Sequence, residues 1–371
     1  MNPKQLMLSA IEKRPVDRVP VATYNFHPFQ IGWWGGADRP FSQEPGYQPM
    51  LDAVLKTNTG MLCKVPVEYR EGRTRIERKI LGDTSITITR MNTPRGELRN
   101  IDKRVKNQPW RCVEPFIKGD KDMEKFLSLP VESSIPDLSL AKELYNEIDD
   151  KGLVYLEYKD PFSSVASLFD FQEFTIKCIR ELALIKQLID REFKRVRIQL
   201  NYMFDETESY DFLFYTDGPE LATPPMLSPA IFRQLITPYQ HKLVKMIKEA
   251  GHLSSIHCHG KVRKVFDEFL IIENDILEPL EPPPQGDITL KEALNRAEGR
   301  MSLMGYIQDQ NLYTSTPGEI REKVRLICQL VRGKIGYIMS TTATPYMFPP
   351  PERFVRNYIE FVEAAAEYGT S

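Results

Sequence analysis

Cysteine and histidine are scarce in this chain, and long apolar runs are missing from it. An odd number of scattered cysteines, with no Cys-x-x-Cys pair, argues against a disulfide framework and favours free thiols in a reducing cytoplasm. The apolar runs are far shorter than the roughly 20 residues of a membrane-spanning helix. We therefore expect a cytoplasmic protein without a membrane span. The five cysteines are Cys63, Cys112, Cys178, Cys258 and Cys328.

An excess of charge of either sign is also missing. The chain has 49 basic and 51 acidic residues, a net charge of -2 at pH 7, and no long run of one sign. This balance offers no electrostatic basis for binding nucleic acid or an anionic membrane. With 371 residues, of which 42% are hydrophobic, the chain can bury a large core. We expect residues 1–371 to form a single domain that acts on a small molecule.

Short apolar strands alternate with helical segments along most of the chain. This alternation predicts a parallel sheet, and about eight strands are the number that closes a (β/α)8 barrel. An open, doubly wound sheet is the alternative, but no glycine-rich phosphate loop follows any strand. We therefore predict an α/β fold of the TIM-barrel type. The predicted strands lie near 17–24, 61–67, 153–157, 212–216, 253–257, 276–278, 301–304 and 335–339.

Residues 67–117 do not follow this alternation of strands and helices. Residues 80–90 alternate polar and apolar side chains, Thr93-Pro94-Arg95-Gly96 is typical of a turn, and another alternating run follows. We predict an antiparallel β hairpin or meander inserted after the second strand. It could form a surface for a homodimer or cover one face of the barrel.

Two of the five histidines, His257 and His259, lie two residues apart at the end of a predicted strand. Side chains on a strand alternate between faces, so both imidazoles point the same way. Two converging imidazoles make half of a metal site. The alternative is one functional histidine beside one that only forms a hydrogen bond. The scarcity of histidine elsewhere favours the metal site.

Polar side chains recur at the carboxyl ends of the predicted strands, where the active site of a (β/α)8 barrel lies. About half of such residues would only cap helices or bond to loops. An aromatic flap, Trp33-Trp34-Gly35-Gly36, follows the first strand. The strand-end residues are Asn25, His27, Glu68, Tyr69, Glu157, Asp217, His257, His259, Glu278, Glu281, Tyr306, Gln308 and residues 340–344.

Several segments resemble the uroporphyrinogen decarboxylase superfamily, which includes the decarboxylase and the cobalamin-linked methyltransferases. The opening residues 12–21 are similar to its N-terminal signature, and residues 227–232, Pro238-Tyr239 and residues 247–251 resemble its central helix. His257-Cys258-His259-Gly260 is similar to the His-x-Cys-Gly metal motif of the methyltransferase branch, and residues 278–287 also resemble the family. These segments span nearly the whole chain, and the resemblance also implies a (β/α)8 barrel.

Two departures from the family pattern separate its branches. The decarboxylase has an arginine-rich loop after its first strand, whereas residues 25–34 contain no arginine and Arg39 is the nearest. A polycarboxylate tetrapyrrole would lack its usual bidentate partners, which disfavours that substrate. Thiol-alkylating methyltransferases have cysteine where His259 stands and another near the last strand, but residues 340–346 contain no thiol. A site of two histidines and a carboxylate is harder, and suits the polarisation of an oxygen.

The resemblance implies that a methyl group moves from a small O-methylated, or N-methylated, substrate to a corrinoid (cobalamin). The corrinoid would be carried by a partner protein, because the chain has no Asp-x-His-x-x-Gly motif. Zn²⁺ would be held by His257, His259 and Glu278, with Glu157 and Asp217 as alternatives to Glu278. Two other readings are a decarboxylase of a tetrapyrrole or smaller acid, and a ligand-binding barrel without catalysis. The expected catalytic residues are Asp217, Glu157 and His27, and the expected substrate-binding residues are Tyr24, Asn25, Trp33, Trp34 and Tyr306.

Overall fold

The computed structural model describes residues 1–29, 40–67, 74–106, 108, 110–132 and 135–370. Its main body is a sheet of eight parallel strands in the order β1-β12-β11-β10-β9-β8-β7-β2. This order follows the chain around the sheet. The strands are β1 (Val21–Ala22), β2 (Met61–Val65), β7 (Gly152–Lys159), β8 (Leu213–Asp217), β9 (Leu253–His257), β10 (Ile276–Leu280), β11 (Ser302–Ile307) and β12 (Tyr337–Thr341).

Backbone hydrogen bonds bring the two edge strands of this sheet together. The amide of Gly60 donates to the carbonyl of Val21 at 2.9 Å, and the amide of Thr23 donates to the carbonyl of Gly60 at 2.8 Å. β1 thus meets β2 as well as β12, and the sheet curves round on itself. The predicted α/β barrel is confirmed.

Helices separate the barrel strands, as the alternating pattern predicts. Among the described helices, none is long and apolar enough to cross a membrane. All five cysteines are free. The helices are α1 (Pro3–Ile11), α2 (Gln48–Lys56), α3 (Asp120–Leu127), α4 (Ser139–Ile148), α5 (Pro161–Ala166), α6 (Phe171–Arg180), α7 (Leu182–Thr207), α8 (Pro229–Leu235), α9 (Thr237–Glu249), α10 (Phe266–Ile272), α11 (Leu290–Ala297), α12 (Asp309–Thr314), α13 (Pro317–Val331) and α14 (Glu352–Tyr368).

The interior of the barrel is a separate apolar cluster. It combines inward side chains of the strands, among them Leu62, Leu153, Leu213 and Ile276, with side chains of α1. The hydroxyl of Ser302, the first residue of β11, donates to the carbonyl of Ala10 in α1 at 2.8 Å. α1 therefore closes the amino end of the barrel. Because strand side chains alternate, residues two or four positions further along each strand face the open carboxyl end.

The inserted segment forms a second sheet of four antiparallel strands in the order β3-β4-β5-β6. Most side chains of β3 are exposed. The predicted antiparallel insertion after the second barrel strand is confirmed, with more strands than a simple hairpin. The single-domain organisation of residues 1–371 stays a prediction. The strands are β3 (Thr74–Leu81), β4 (Thr84–Thr93), β5 (Gly96–Val105) and β6 (Arg111–Glu114).

The first barrel strand is shorter than predicted, and its neighbours explain why. Residues 17–24 were expected to form it, but only Val21–Ala22 do so. Pro20 has no amide hydrogen to donate, and the amide of Val19 bonds to the carbonyl of Gly369 at 2.9 Å. This contact with the C-terminal segment cannot be read from local alternation. β9, by contrast, has the predicted bounds, Leu253–His257.

Candidate active site at the carboxyl ends of the strands

Three predicted site residues lie side by side on adjacent strands. The register of β8, β9 and β10 places both Asp217 and Glu278 opposite His257. The amide of Gly218 donates to the carbonyl of His257 at 3.0 Å. A Cβ atom on Gly218 would lie 2.4 Å from that oxygen, so only glycine lets β8 end this close to β9. The side chains of Asp217, His257 and Glu278 therefore form one row across the ends of β8, β9 and β10.

A set of five polar residues, here called the inner cluster, lies at the bottom of the barrel mouth. It consists of Tyr24, Lys64, Ser255, His257 and Glu278, all buried except the partly buried Lys64. The Lys64 ammonium donates to the Tyr24 hydroxyl at 3.0 Å and lies 3.4 Å from a Glu278 oxygen. The Ser255 hydroxyl donates to the other Glu278 oxygen at 2.9 Å. Tyr24 Oη lies 2.8 Å from His257 Nδ1, so the cluster is one connected network.

Burial dominates the electrostatics of the inner cluster. It lowers the pKa of His257, and the charge of Lys64 adds to that effect, so the imidazole is neutral at pH 7. Burial also raises the pKa of Tyr24 and keeps the phenol protonated. It lowers the pKa of Lys64 and raises that of Glu278, but each group opposes the shift of the other. Their attraction at 3.4 Å favours the charged pair.

Lys64 also lies against two aromatic rings. Its ammonium is 4.0 Å from the centroid of the Tyr24 ring and 4.0 Å from that of Tyr215. A tyrosine face attracts a cation, most strongly where water is excluded. The two rings and the Glu278 carboxylate together provide a site for an ammonium group inside the barrel.

A second pair, here called the outer pair, lies nearer the surface. His259 Nδ1 is 3.3 Å from a Glu281 oxygen, and the amide of Gly260 donates to the other oxygen at 2.7 Å. Burial pushes the pKa of Glu281 upwards, but the hydrogen bonds from His259 and Gly260 outweigh it and leave this pKa below its usual range. The Glu281 carboxylate of the outer pair is thus held in place by hydrogen bonds from His259 and Gly260. The His259 side chain is 39% exposed and reaches the mouth.

Other carboxyl groups surround these two clusters. Glu157 accepts a hydrogen bond from Lys159 at 2.8 Å, and Asp217 accepts one from the Tyr215 hydroxyl. Glu220 follows β8, and one of its oxygens is buried with no partner among the described residues. Burial raises the pKa of Glu220 to about 7. This group can therefore exchange a proton near neutral pH.

The predicted substrate-binding residues occupy different places. Asn25 accepts a hydrogen bond from the amide of Lys64 at 2.9 Å, which links the end of β1 to β2. The Tyr306 hydroxyl accepts one from the amide of Leu290 at 2.9 Å and lines a cavity between α11 and α13. His27 is buried, with its ring 6.3 Å from that of Phe29. Trp33 and Trp34 lie outside the described residues. The roles assigned to all these residues stay predictions.

The predicted zinc ligands are only partly brought together. The rings of His257 and His259 are adjacent, with centroids 4.6 Å apart. Glu278, however, forms an ion pair with Lys64 at 3.4 Å and accepts a hydrogen bond from Ser255, and His257 Nδ1 faces Tyr24. Among the described residues, no three histidine, cysteine, aspartate or glutamate side chains form a group that could hold a metal ion. This arrangement does not fit the predicted three-ligand zinc site, and zinc stays a prediction.

Sequence reasoning missed Lys64 and Ser255 and gave Glu281 no role. Lys64 has a signal that could have been used, because it is the one charged residue within the otherwise apolar strand β2. A lysine in a buried strand needs a buried partner. Ser255 carries no such signal, since a small hydroxyl is common in a strand. Glu220 was hidden in the loop after β8.

The chain is similar to known proteins in its sequence and in its fold. The profile of the family described as uroporphyrinogen decarboxylase (URO-D) matches residues 141–368, more than half of the chain. A solved structure of a methyltransferase from Methanosarcina mazei is similar, with a TM-score of 0.62 and 15% sequence identity over 99% of each chain. At this identity the likeness establishes the fold alone. No curated protein sequence matches the chain.

Proposed function

Because the chain belongs to the uroporphyrinogen decarboxylase family, a family of enzymes, we propose that it is a methyltransferase of that family. It moves a methyl group from a small O- or N-methylated substrate to a corrinoid carried by a partner protein. The sequence motif around His257 supports this branch. The similar Methanosarcina mazei protein, itself a methyltransferase, agrees with it.

The observation that carries this choice is the charge of the barrel mouth. We consider the last three residues of each barrel strand and the three that follow. Among those that the structure describes, only Lys64 and Lys159 are basic, and both are paired with carboxylates. A polycarboxylate tetrapyrrole would meet repulsion here and would find no arginine fork among these described positions. The carboxyl groups in the same positions are Glu157, Asp160, Asp217, Glu220, Glu278, Glu281 and Asp309.

The residues of the mouth can supply the proton that the leaving group takes up in methyl transfer. A reduced corrinoid brought by the partner would supply the nucleophile that accepts the methyl group as the bond between the methyl carbon and its heteroatom breaks. An oxygen leaving group would then take up a proton. Glu220 is the proton donor, because its pKa of about 7 leaves a large protonated fraction at neutral pH. Asp217 and Glu157 orient the substrate at the ends of β8 and β7.

Methyl transfer to free reduced cobalamin tests this function. We expect methylated cobalamin from a small methyl donor, and a loss of about 10²-fold or more in Glu220→Gln, the usual range for a general acid. Glu249→Gln, on the exposed end of α9, is the matched control and should retain activity. Decarboxylation of uroporphyrinogen, with no methyl transfer from any donor, would contradict the proposal.

Metal analysis tests the zinc-assisted form of the reaction. The present arrangement commits Glu278 to Lys64, so we expect purified protein to contain well under one zinc per chain. The His257→Ala, His259→Ala double variant should have the same content. About one zinc per chain, lost in the double variant, would instead support the predicted zinc site with His257 and His259 as ligands.

A further inference from the structure

We propose that the amino end of the barrel carries a second binding site, which takes a small carboxylate with an apolar body. Arg18, Arg332 and Lys334 line this site and bind the carboxylate group, while apolar side chains hold the rest of the ligand. The site is separate from the candidate active site, and the proposal does not rest on the proposed function.

The site is a cavity of about 190 Å³ between segments that lead into two barrel strands. Arg18 precedes β1 and Lys334 precedes β12, so the cavity lies at the amino ends of these strands. The last residues of α13 and α14, Val331 and Tyr368, also line it. The active site of a (β/α)8 barrel lies at the carboxyl ends of the strands. The cavity is therefore at the opposite end of the barrel from the mouth.

The charged side chains around this cavity are all basic within the described part of the chain. Arg18, Arg332 and Lys334 line it, whereas no described aspartate or glutamate does. Asp17, the neighbour of Arg18, lies 3.0 Å from the N-terminal ammonium, with which it forms an ion pair. The cavity thus has an excess of positive charge, which favours the binding of an anion. The mouth, with its many carboxyl groups, has the opposite character.

One nitrogen of Arg18 gives this preference a specific point of contact. Nη2 is buried and has no hydrogen-bond partner among the residues that the structure describes. A guanidinium keeps its charge in proteins, so this group cannot become neutral as a buried carboxyl group does. A buried donor without a partner is unfavourable. A carboxylate in the cavity would accept from Nη2, and its two oxygens match the fork of a guanidinium.

The charge of Arg332 also acts on the inside of the cavity. Cys328 lines the cavity and is buried, which raises the pKa of its thiol to about 11, and the charge of Arg332 opposes that rise. The neutral thiol adds no negative charge. Arg332 and Lys334 are exposed, whereas Arg18 is partly buried. The first two residues therefore lie at the opening of the cavity, and Arg18 lies deeper.

The remaining walls determine the body of the ligand. A cavity of about 150 Å³ can hold benzene, so about 190 Å³ has room for one ring with a carboxylate directed at the basic side chains. An inorganic anion would leave the apolar walls without contacts. Benzoate is therefore a suitable probe. The apolar residues of the lining include Val16, Val19, Pro20, Val331, Ile335 and Tyr337.

Isothermal titration calorimetry of the full chain with benzoate tests the site. We expect one benzoate per chain, and an affinity about 10- to 100-fold lower in Arg18→Met, the effect of losing a hydrogen bond between charged groups. Arg356→Met is the matched control, because this arginine is exposed on α14 and pairs with Glu352. It should bind benzoate as the wild type does. No binding to the wild type, or equal binding to Arg18→Met, would overturn the proposal.

A second variant decides the question if Arg18→Met does not fold. Arg332→Met combined with Lys334→Met changes only exposed side chains, and should weaken benzoate binding about 5-fold, since exposed ion pairs contribute little. Unchanged affinity in this variant would place benzoate elsewhere and overturn the site.

Inorganic phosphate tests the apolar part of the assignment. We expect phosphate to bind at least about 10-fold more weakly than benzoate, because it buries no apolar surface. Phosphate binding that is tighter than that of benzoate, and lost in Arg18→Met, would overturn the apolar carboxylate as the ligand class. These measurements need no methyl transfer, so a failure of the proposed function does not affect their outcome.

Discussion

Two buried carboxyl groups near the ends of adjacent strands are stabilised in opposite ways. Glu278, on β10, has one oxygen near Lys64 and the other bonded to Ser255. Asp309 follows β11, and neither of its oxygens has a hydrogen-bond partner among the described residues. Burial raises the pKa of Asp309 to about 8, so this group is mostly neutral at pH 7. Burial also raises the pKa of Glu278, but Lys64 opposes that rise, whereas burial alone acts on the pKa of Asp309.

This difference shows how burial and partners together decide the chemistry of a carboxyl group. The side chains are buried to a similar degree, at 0% and 1% exposure. A buried charge is tolerated when a partner and hydrogen bonds replace water, and otherwise the group becomes neutral. The ammonium of Lys64 is the deciding partner. Its removal should make Glu278 resemble Asp309.

Lys64→Met should have the largest effect, because it leaves Glu278 buried without its cation. We expect a loss of about 3–5 kcal/mol in the free energy of unfolding at pH 7, measured with chemical denaturant. Lys64→Met combined with Glu278→Gln should be more stable than Lys64→Met alone, since the glutamine amide is neutral without having to bind a proton. A double variant that loses the sum of both single effects would show that the pair is not coupled.

Lys56→Met is the matched control for that variant. Lys56 also bonds to a carboxylate, Glu363, at 3.0 Å, but the two side chains are 76% and 41% exposed. An exposed ion pair contributes about 0–1 kcal/mol. The same substitution should therefore have little effect here. A loss as large as that of Lys64→Met would point to the lysine side chain rather than to the buried charge.

Asp309→Asn tests the unpaired carboxyl group through pH. A pKa raised above its unfolded value means that the folded state holds the proton more tightly. The contribution of Asp309 is fully present below about pH 4 and is lost as pH rises through about 8. Relative to Asp309→Asn, the wild type should lose stability over this window. Denaturant unfolding at several pH values measures the difference, and a constant difference would contradict the raised pKa.

Smaller effects than that of Lys64→Met should distinguish the hydroxyl groups near the two carboxyls. Ser255→Ala removes a 2.9 Å hydrogen bond to charged Glu278 and should cost about 1.5–3 kcal/mol. Tyr358→Phe removes a buried hydroxyl that has no partner among the described residues, and should change stability by less than about 1 kcal/mol. Equal losses in the two variants would contradict the comparison.

The fold was largely predictable, because its signals are local. Alternating strands and helices predict the parallel barrel, and period-two runs in residues 80–90 predict the antiparallel insertion. β9 was predicted with its bounds. The short β1 was not, since a contact with Gly369 limits it. Strand ends depend on partners that are distant in sequence.

The sequence by itself determined the barrel, the carboxyl-end position of its polar residues, and the proximity of His257 to His259. Each follows from a local period or spacing. Only the tertiary structure decided which groups are paired. Lys64 and Glu278 are on β2 and β10, yet the barrel joins them with Tyr24 and His257. Hydrogen-bond direction and charge depend on that three-dimensional arrangement, because burial removes water and leaves neighbouring side chains as the only partners.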